Sequence, residues 1–200
     1  MHGIDIGRRL TWDEIRLLDE REFKFALRYY AGLGDQPNFG NPKTLLSEEV
    51  AFLHQRRMGI APVFQNGSNT GAYFNGTQGL ADGKAARAFG LARGQPLGTP
   101  IFFAVDMDFG DPAQLAHYFN GVFTGLDGKY DAAVYGEFDV VRHCRENFPA
   151  LTAFWQTYAW SAQKVYWAAD FFQHLNGFVV TSGLTVDLNT AHGEIPWRLR

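Results

Sequence analysis

The chain has 200 residues with 18 Lys+Arg, 21 Asp+Glu and a net charge of −3, the two signs interspersed along its length. That length suits a single domain spanning residues 1–200, and the charge balance excludes the clustered basic face that wrapping DNA requires, so no nucleic-acid partner is expected. Apolar residues at 46% against 20% charged provide for a buried core, no apolar run reaches the ~20 residues of a membrane span, and the lone Cys144 excludes an internal disulfide framework or a multi-cysteine zinc site.

The opening Met1-His2-Gly3-Ile4-Asp5 lacks a basic segment followed by an apolar one, so no signal peptide is expected in this chain. Residues 4–7 read as a short strand. Thr11-Trp12-Asp13-Glu14 then opens a helix with the spacing of a capping box. A second strand covers 23–30, followed by a Gly/Pro/Asn-rich loop over 32–42 that is long enough to suggest function. Ser47-Glu48-Glu49 starts a helix running to Met58, with Gly59 as its stop. A third strand at 60–65, a second polar loop at 66–76 and a helix at 80–91 come next. Residues 100–108 are the clearest buried strand, because Ile101-Phe102-Phe103-Ala104-Val105 is continuously apolar, as in strands covered on both faces. Asp111-Pro112 begins a helix; a fifth strand at 132–137 leads into a helix ending near Asn147. Strands at 153–160, 171–173 and 184–188 complete the set, with little helix in the last quarter.

Alternation of strand and helix implies parallel β/α units. Eight strands suggest an α/β fold, a single modified (β/α)8 TIM-type barrel with helices reduced in the C-terminal third. A doubly wound open sheet is the alternative, although Gly3-Ile4-Asp5-Ile6-Gly7 lacks the glycine spacing of a dinucleotide site. No cofactor is expected, and the chain reads as a monomer.

In a parallel barrel the active site lies at the C-terminal ends of the strands, where Asp5, Asp106, Asp108, Glu137 and Asp187 fall. A two-residue period puts Asp106 and Asp108 on one face, Tyr135 with Glu137, and Gln156 with Tyr158 and Trp160. Opposed carboxylates with aromatic walls suit glycosidic-bond hydrolysis, one carboxyl being kept protonated by the crowding of like charge. A lone strand-end acid is more often a helix N-cap or loop anchor than catalytic, and Asp108 and Asp111 fit that role too, but four strands bearing acids at one end are harder to account for that way. Asp106-x-Asp108 also fits Mg²⁺ or Mn²⁺ in a metal-dependent hydrolase or transferase. The histidines (His2, His54, His117, His143, His174, His192) show no metal-ligand spacing, so no metal site is expected; His2 and His192, near strand ends, are candidates for substrate contact. Cys144 sits mid-helix and reads as structural. Tyr135, Tyr158 and Trp160 are candidates for stacking on sugar or for core packing. Arg28, Gln65 and Gln173 end strands and are candidates for holding hydroxyl or acetamido groups, Arg28 alternatively neutralising the acids.

Gly3-Ile4-Asp5, Arg28-Tyr29, Gly59-Ile60-Ala61-Pro62-Val63-Phe64-Gln65, Ile101 through Asp108, Val134-Tyr135-Gly136, Ala159-Trp160-Ser161 and Val186-Asp187-Leu188-Asn189 resemble, in this order, the glycoside-hydrolase-like proteins of domain of unknown function family 1906. That family is related to the family 25 glycoside hydrolases, the lysozyme-type muramidases. The resemblance runs from about Gly3 to Ala191. It implies a modified barrel, a groove for peptidoglycan-type glycan, and a location at the cell envelope or outside the cell. The muramidase pattern of an acid on the first strand, Asp-x-Glu on the fourth and Asp on the last maps onto Asp5, Asp106 with Asp108, and Asp187. The departure is Asp108, where a muramidase carries Glu as general acid. A side chain one methylene shorter misplaces the proton, and a displacement near ~1 Å costs about 10²-fold in rate. Glu137 is the candidate replacement. Two functional expectations follow: a glycosidase on N-acetylated cell-wall glycan, or a barrel that binds such glycan without cleaving it.

Overall fold

The computed structural model describes residues 1–108 and 114–198. Its strands are β1 (His2–Asp5), β2 (Phe25–Tyr30), a small hairpin of β3 (Gly32–Leu33) and β4 (Gln36–Pro37), β5 (Gly59–Phe64), β6 (Pro100–Ala104), β7 (Asp131–Gly136), β8 (Leu151–Thr157), β9 (Phe171–Thr181) and β10 (Leu184–Ala191). Its helices are α1 (Trp12–Glu20), α2 (Ser47–Gln55), α3 (Gly76–Arg93), α4 (Leu115–Leu126) and α5 (Phe138–Asn147). Eight strands close into a barrel in the order β1-β10-β9-β8-β7-β6-β5-β2. The expected closed barrel is therefore present, and the open sheet is not. Among the described residues no helix is long and apolar enough to cross a membrane.

The chain makes this ring because each strand carries two apolar faces. Inward positions Phe25, Leu27, Ala61, Val63, Phe102, Ala104, Ala133, Ala153, Trp155 and Phe171 fill the interior. Outward positions such as Ile4, Ala26, Ile60, Phe103, Val134 and Phe154 pack beneath the helices. The large–small alternation inside is geometric: Phe25 passes so close to β1 that a Cβ on Gly3 would lie 2.4 Å from its ring. Thr11 caps α1 in a full capping box with Glu14, as its spacing predicts.

Closure is not all-parallel. β10 runs antiparallel to both β9 and β1, so the predicted run of parallel units ends at β9. The seventh strand is a long arm rather than a three-residue segment, because it forms a hairpin with β10 that rises beyond the ring. At the opposite end β5 and β6 pair only through Val63–Phe102 and Phe64–Phe103. The splayed base is sealed by the C-terminal segment, where Trp197 exchanges backbone hydrogen bonds with Ile60 and Ile195 packs on Gly59.

The predicted buried strand at 100–108 ends at Ala104, which leaves Asp106 and Asp108 on the following loop. The helix start expected at Asp111-Pro112 lies outside the described residues; α4 is described from Leu115. Gly59 opens β5 rather than stopping α2, which already ends at Gln55. His2 begins β1, and His192 follows β10, whose antiparallel course ends at the base. Both histidines therefore lie away from the mouth.

Helices α3 and α4 cross with their backbones in contact. A Cβ on Gly79 would lie 2.0 Å from the Tyr118 carbonyl oxygen, and one on Gly83 2.5 Å from that of Val122. Backbone cannot yield as a flexible side chain can, so Gly79→Ala should cost about 3 kcal/mol in urea unfolding. Gly71→Ala, which points into open space, should stay within about 0.5 kcal/mol of the parent.

Candidate active site

The C-terminal ends of the parallel strands surround a cavity of about 290 Å³. Its walls include Asp5, Tyr29, Gln65, Asp106, Tyr135, Trp155, Thr157, Trp160, Gln173, Asn176 and Asp187. Asp5 is its most constrained acid. The antiparallel seam sets Asp5 directly opposite Asp187. Asp5 is only 2% exposed and accepts three side-chain hydrogen bonds: from Asn189 Nδ2 (2.7 Å) and Gln173 Nε2 (2.9 Å) on Oδ2, and from the Tyr29 hydroxyl (3.2 Å) on Oδ1. Burial is the dominant influence on its proton and the nearby Asp187 charge acts in the same direction, so despite these donors its pKa is pushed up to about 7.

Asp187 accepts from the Gly177 amide at 2.7 Å and from Gln173 at 3.4 Å. Gln173 thus divides its amide between both acids, while its oxygen accepts from the Tyr135 hydroxyl at 3.2 Å. Asp106 stands on the opposite wall, since β6 and β10 lie four strands apart in the eight-strand ring. It accepts from Gln65 Nε2 at 2.7 Å, and Gln65 in turn accepts from Lys43 Nζ at 2.7 Å. Burial raises the Asp106 pKa, opposed by Gln65 and the Lys43 charge.

The remaining sequence candidates separate from this group. Asp108 is exposed and does not line the cavity: once β6 has ended at Ala104, the two-residue period no longer keeps it beside Asp106. The alternative Asp106-x-Asp108 metal pair is thereby split, and among the described residues no three or more His, Cys, Asp or Glu side chains are grouped to hold a metal ion. Glu137 turns back to cap α5, accepting from the Asp139 and Val140 amides at 2.7 and 2.8 Å. Arg28 points outward beneath α2, fully buried, with Nε 2.6 Å from Glu49 Oε1 and Nη1 donating to the Ile6 carbonyl at 2.6 Å. It does not line the cavity, and its charge is paired with Glu49 rather than with the acids of the mouth. Tyr158 lies beyond the end of β8, is exposed, and is absent from the cavity wall.

Gln156 also departs from its predicted face. It is buried on the outside of β8, donating to Ser161 Oγ and the Lys164 carbonyl and accepting from the Tyr166 amide. These bonds hold the turn that carries Trp160 to the rim with φ 56°. That left-handed backbone is costly for a bulky residue and persists only where its surroundings enforce it. Cys144 is buried within α5, as expected for a structural residue.

Tyr29, Asn189, Trp155, Thr157, Asn176 and Lys43 were not singled out from sequence. Tyr29 had a legible signal, because Phe25, Leu27 and Tyr29 share the inward face of β2 while Arg28 falls on the other. Asn189 stands two residues beyond Asp187, within the Val-Asp-Leu-Asn segment already quoted for the resemblance.

The closed barrel and its polar mouth define a glycoside-hydrolase-like protein of the modified-barrel class. The chain belongs to the Rv2525c-like, glycoside hydrolase-like domain family, whose match covers residues 16–191. A curated relative, the uncharacterized protein YbfG of Bacillus subtilis, is 29% identical over 143 residues, 66% of this chain. The match spans about a fifth of the length of that relative (20%). In fold the chain is similar to the Tat-secreted protein Rv2525c of Mycobacterium tuberculosis, solved with L-tartrate (TM-score 0.76, 16% identity, 95% of this chain and 94% of that one). It is also similar to a family 25 glycosyl hydrolase from Bacillus anthracis (TM-score 0.61, 14% identity, 97% and 89%). A third neighbour is the modular autolysin LytC of Streptococcus pneumoniae, solved with a synthetic peptidoglycan ligand (TM-score 0.60, 15% identity, 94% and 46%).

Two outcomes follow from these placements. The Asp5 pKa lies at about 7 in the folded chain against 3.8 ordinarily, so between these values the folded protein holds a proton that the unfolded chain releases. Stability should fall as pH rises from about 4 to 7, by at most about 4 kcal/mol, and level off above. Asp5→Asn keeps an oxygen for Gln173 and Asn189 and turns an amide toward Tyr29. Denaturation at a series of pH values should find that slope flattened and the variant more stable than the parent at pH 8. Separately, Glu49→Ala leaves a buried guanidinium unpaired and should cost about 3–5 kcal/mol in urea unfolding.

Proposed function

We propose that the mouth binds an N-acetylated bacterial cell-wall glycan of the peptidoglycan type and hydrolyses its glycosidic bond. The observation that carries this reading is the opposition of Asp106 and Asp187 on facing walls of one cavity, with Asp5 behind Asp187. Glycosidic cleavage needs one carboxyl that delivers a proton to the leaving oxygen and a second group on the other side of the sugar.

Asp106 is the proton donor in this reading. Its half-buried position raises its proton affinity, and Gln65, braced by Lys43, fixes its carboxyl plane. Asp187 orients water or the substrate's own acetamido group from the opposite wall. Asp5, proton-bearing for part of the time at neutral pH, limits the negative charge behind Asp187 and keeps Gln173 and Asn189 in place. Trp160, half exposed at the rim, supplies a flat surface for a sugar ring, and Tyr135, packed on the buried Trp155 with ring centroids 4.2 Å apart, forms the wall below it. The expected assignment of the acid to Asp108 or Glu137 gives way to Asp106, since neither of those side chains lines the cavity. The secreted neighbour and the autolysin support placing this activity at the envelope or outside the cell.

A second reading, binding without cleavage, is favoured by one feature. The described cavity lining contains aspartates and no glutamate, so every carboxyl has the shorter reach. Purified peptidoglycan and chitooligosaccharides distinguish the two. Hydrolysis is expected for the parent, with Asp106→Asn at least about 10²-fold slower and Asp108→Asn and Glu137→Gln within about twofold of the parent. Saturable binding with no product from the parent would establish the second reading. Full activity in Asp106→Asn would remove this residue from the chemistry.

A further inference from the structure

The base of the barrel carries a second, oppositely charged cavity. It measures about 470 Å³ and is lined by Asp19, Phe23, Lys24, Gln55, Arg56, Arg57 and Arg198. Four cations thus face one carboxylate in a chain whose net charge is −3. They come from three separate stretches: the end of α2, the residue before β2, and the C-terminal segment that seals the base. Cations commonly gather at helix C-termini to offset the helix dipole. That accounts for Arg56 and Arg57, but not for Lys24 or Arg198, which belong to no helix.

The internal pairing of these charges is incomplete. Asp19 lies 3.6 Å from Arg56 Nη1, a long contact, and the Arg56 guanidinium lies over the Trp12 ring at 5.0 Å. Arg56 Nε is buried without a hydrogen-bond partner among the described residues. Arg57 sits at φ 55°, where the Arg57 amide bonds the His54 carbonyl and the Met58 amide that of Leu53. This helix-ending pattern favours glycine at that position. Helix α1 ends in the same way on Glu22, at φ 65°, which does not line the cavity.

We propose that this basal cavity is a binding site for phosphate-bearing anions, remote from the mouth, in which Arg57, Arg56, Lys24 and Arg198 neutralise two or more phosphate groups. Guanidinium groups match phosphate oxygens through paired N–H donors, and a concave setting focuses their field. The volume exceeds what one phosphate fills, which favours a ligand carrying linked phosphates. The same chemistry is offered by a soluble phosphate ester chain and by anionic lipid headgroups.

Calorimetry at low salt with tripolyphosphate, beside vesicles of phosphatidylglycerol in phosphatidylcholine, tests the site and identifies the source. Saturable binding of tripolyphosphate is expected, about tenfold weaker in Arg57→Gly and in Lys24→Gln, and unchanged in Asp106→Asn. Glycine at position 57 also relieves the left-handed backbone, so Arg57→Gly should melt about 2 °C higher while binding more weakly. Glu22→Gly should give the same melting gain with no loss of binding. Vesicle binding with the same dependence on Arg57, in place of tripolyphosphate binding, supports the site and assigns it to headgroups. Absence of both, equal affinity for citrate, or undiminished affinity in Arg57→Gly would overturn the proposal. The result is independent of whether the mouth hydrolyses glycan.

Discussion

The antiparallel seam between β1 and β10 is the constraint on which the mouth depends. The first strand must pair with the last for the ring to close, and it pairs in a register that sets Asp5 against Asp187. Two carboxyls cannot be brought so close inside a barrel without compensation. Gln173 and Asn189, from the flanking strand and from β10 itself, supply amide donors, and Tyr29 supplies a hydroxyl from the other side. Even so, burial outweighs them and Asp5 holds its proton toward neutrality. The seam therefore fixes both the geometry of the site and the protonation of its floor.

The legible part of this architecture was the part governed by periodicity within strands. Alternating apolar runs gave eight strands and a closed barrel, and the inward parity of Asp106 and Tyr135 held as far as the ring or its immediate loops carried it. Legibility failed where a strand stopped. Asp108, Glu137 and Tyr158 were placed by extending a two-residue period past Ala104, Gly136 and Thr157, where the backbone had already turned. Glu137 then met two free amides at the start of α5 and became a cap, a local interaction that outcompetes a solvent-facing role. Arg28 failed differently. Its parity on β2 pointed outward, and only the unseen approach of Glu49 from α2 made burial of a guanidinium there tolerable. Asp187 was found, but for an incomplete reason: it reaches the mouth midway along a reversed strand, a direction that no local pattern encodes.

The long β9–β10 arm follows from the same reversal. A strand that returns antiparallel needs no helical crossover, so β9 and β10 are joined directly in a hairpin that rises above the ring, while the parallel β8–β9 connection is made by turns among the described residues. From that arm come the Gly177 amide on Asp187 and the Asn176 side chain at the cavity wall. The turn after β8, braced by Gln156 and Ser161, contributes Trp160. The two least barrel-like segments are thus the ones that shape the rim, consistent with the tendency of rigid scaffolds to present function on their loops.

The interior itself changes character along its axis, and that change bears on function. Toward the base, Phe25, Phe102, Phe171, Ala191 and Ile195 pack as an apolar plug. Toward the mouth, the same inward positions become Asp5, Tyr29, Gln65, Asp106, Gln173, Asp187 and Asn189. Continuing the plug upward would have removed the energetic burden of a buried carboxyl that must hold its proton, and nothing in the strand geometry forbids it, since Val63 and Ala104 occupy this wall without difficulty. A polar upper layer that is cross-linked by side-chain amides and opens onto solvent fits the proposed glycan, a ligand with many hydroxyl and amide groups. Such a ligand meets preorganised donors and acceptors there, rather than water that must be ordered on binding.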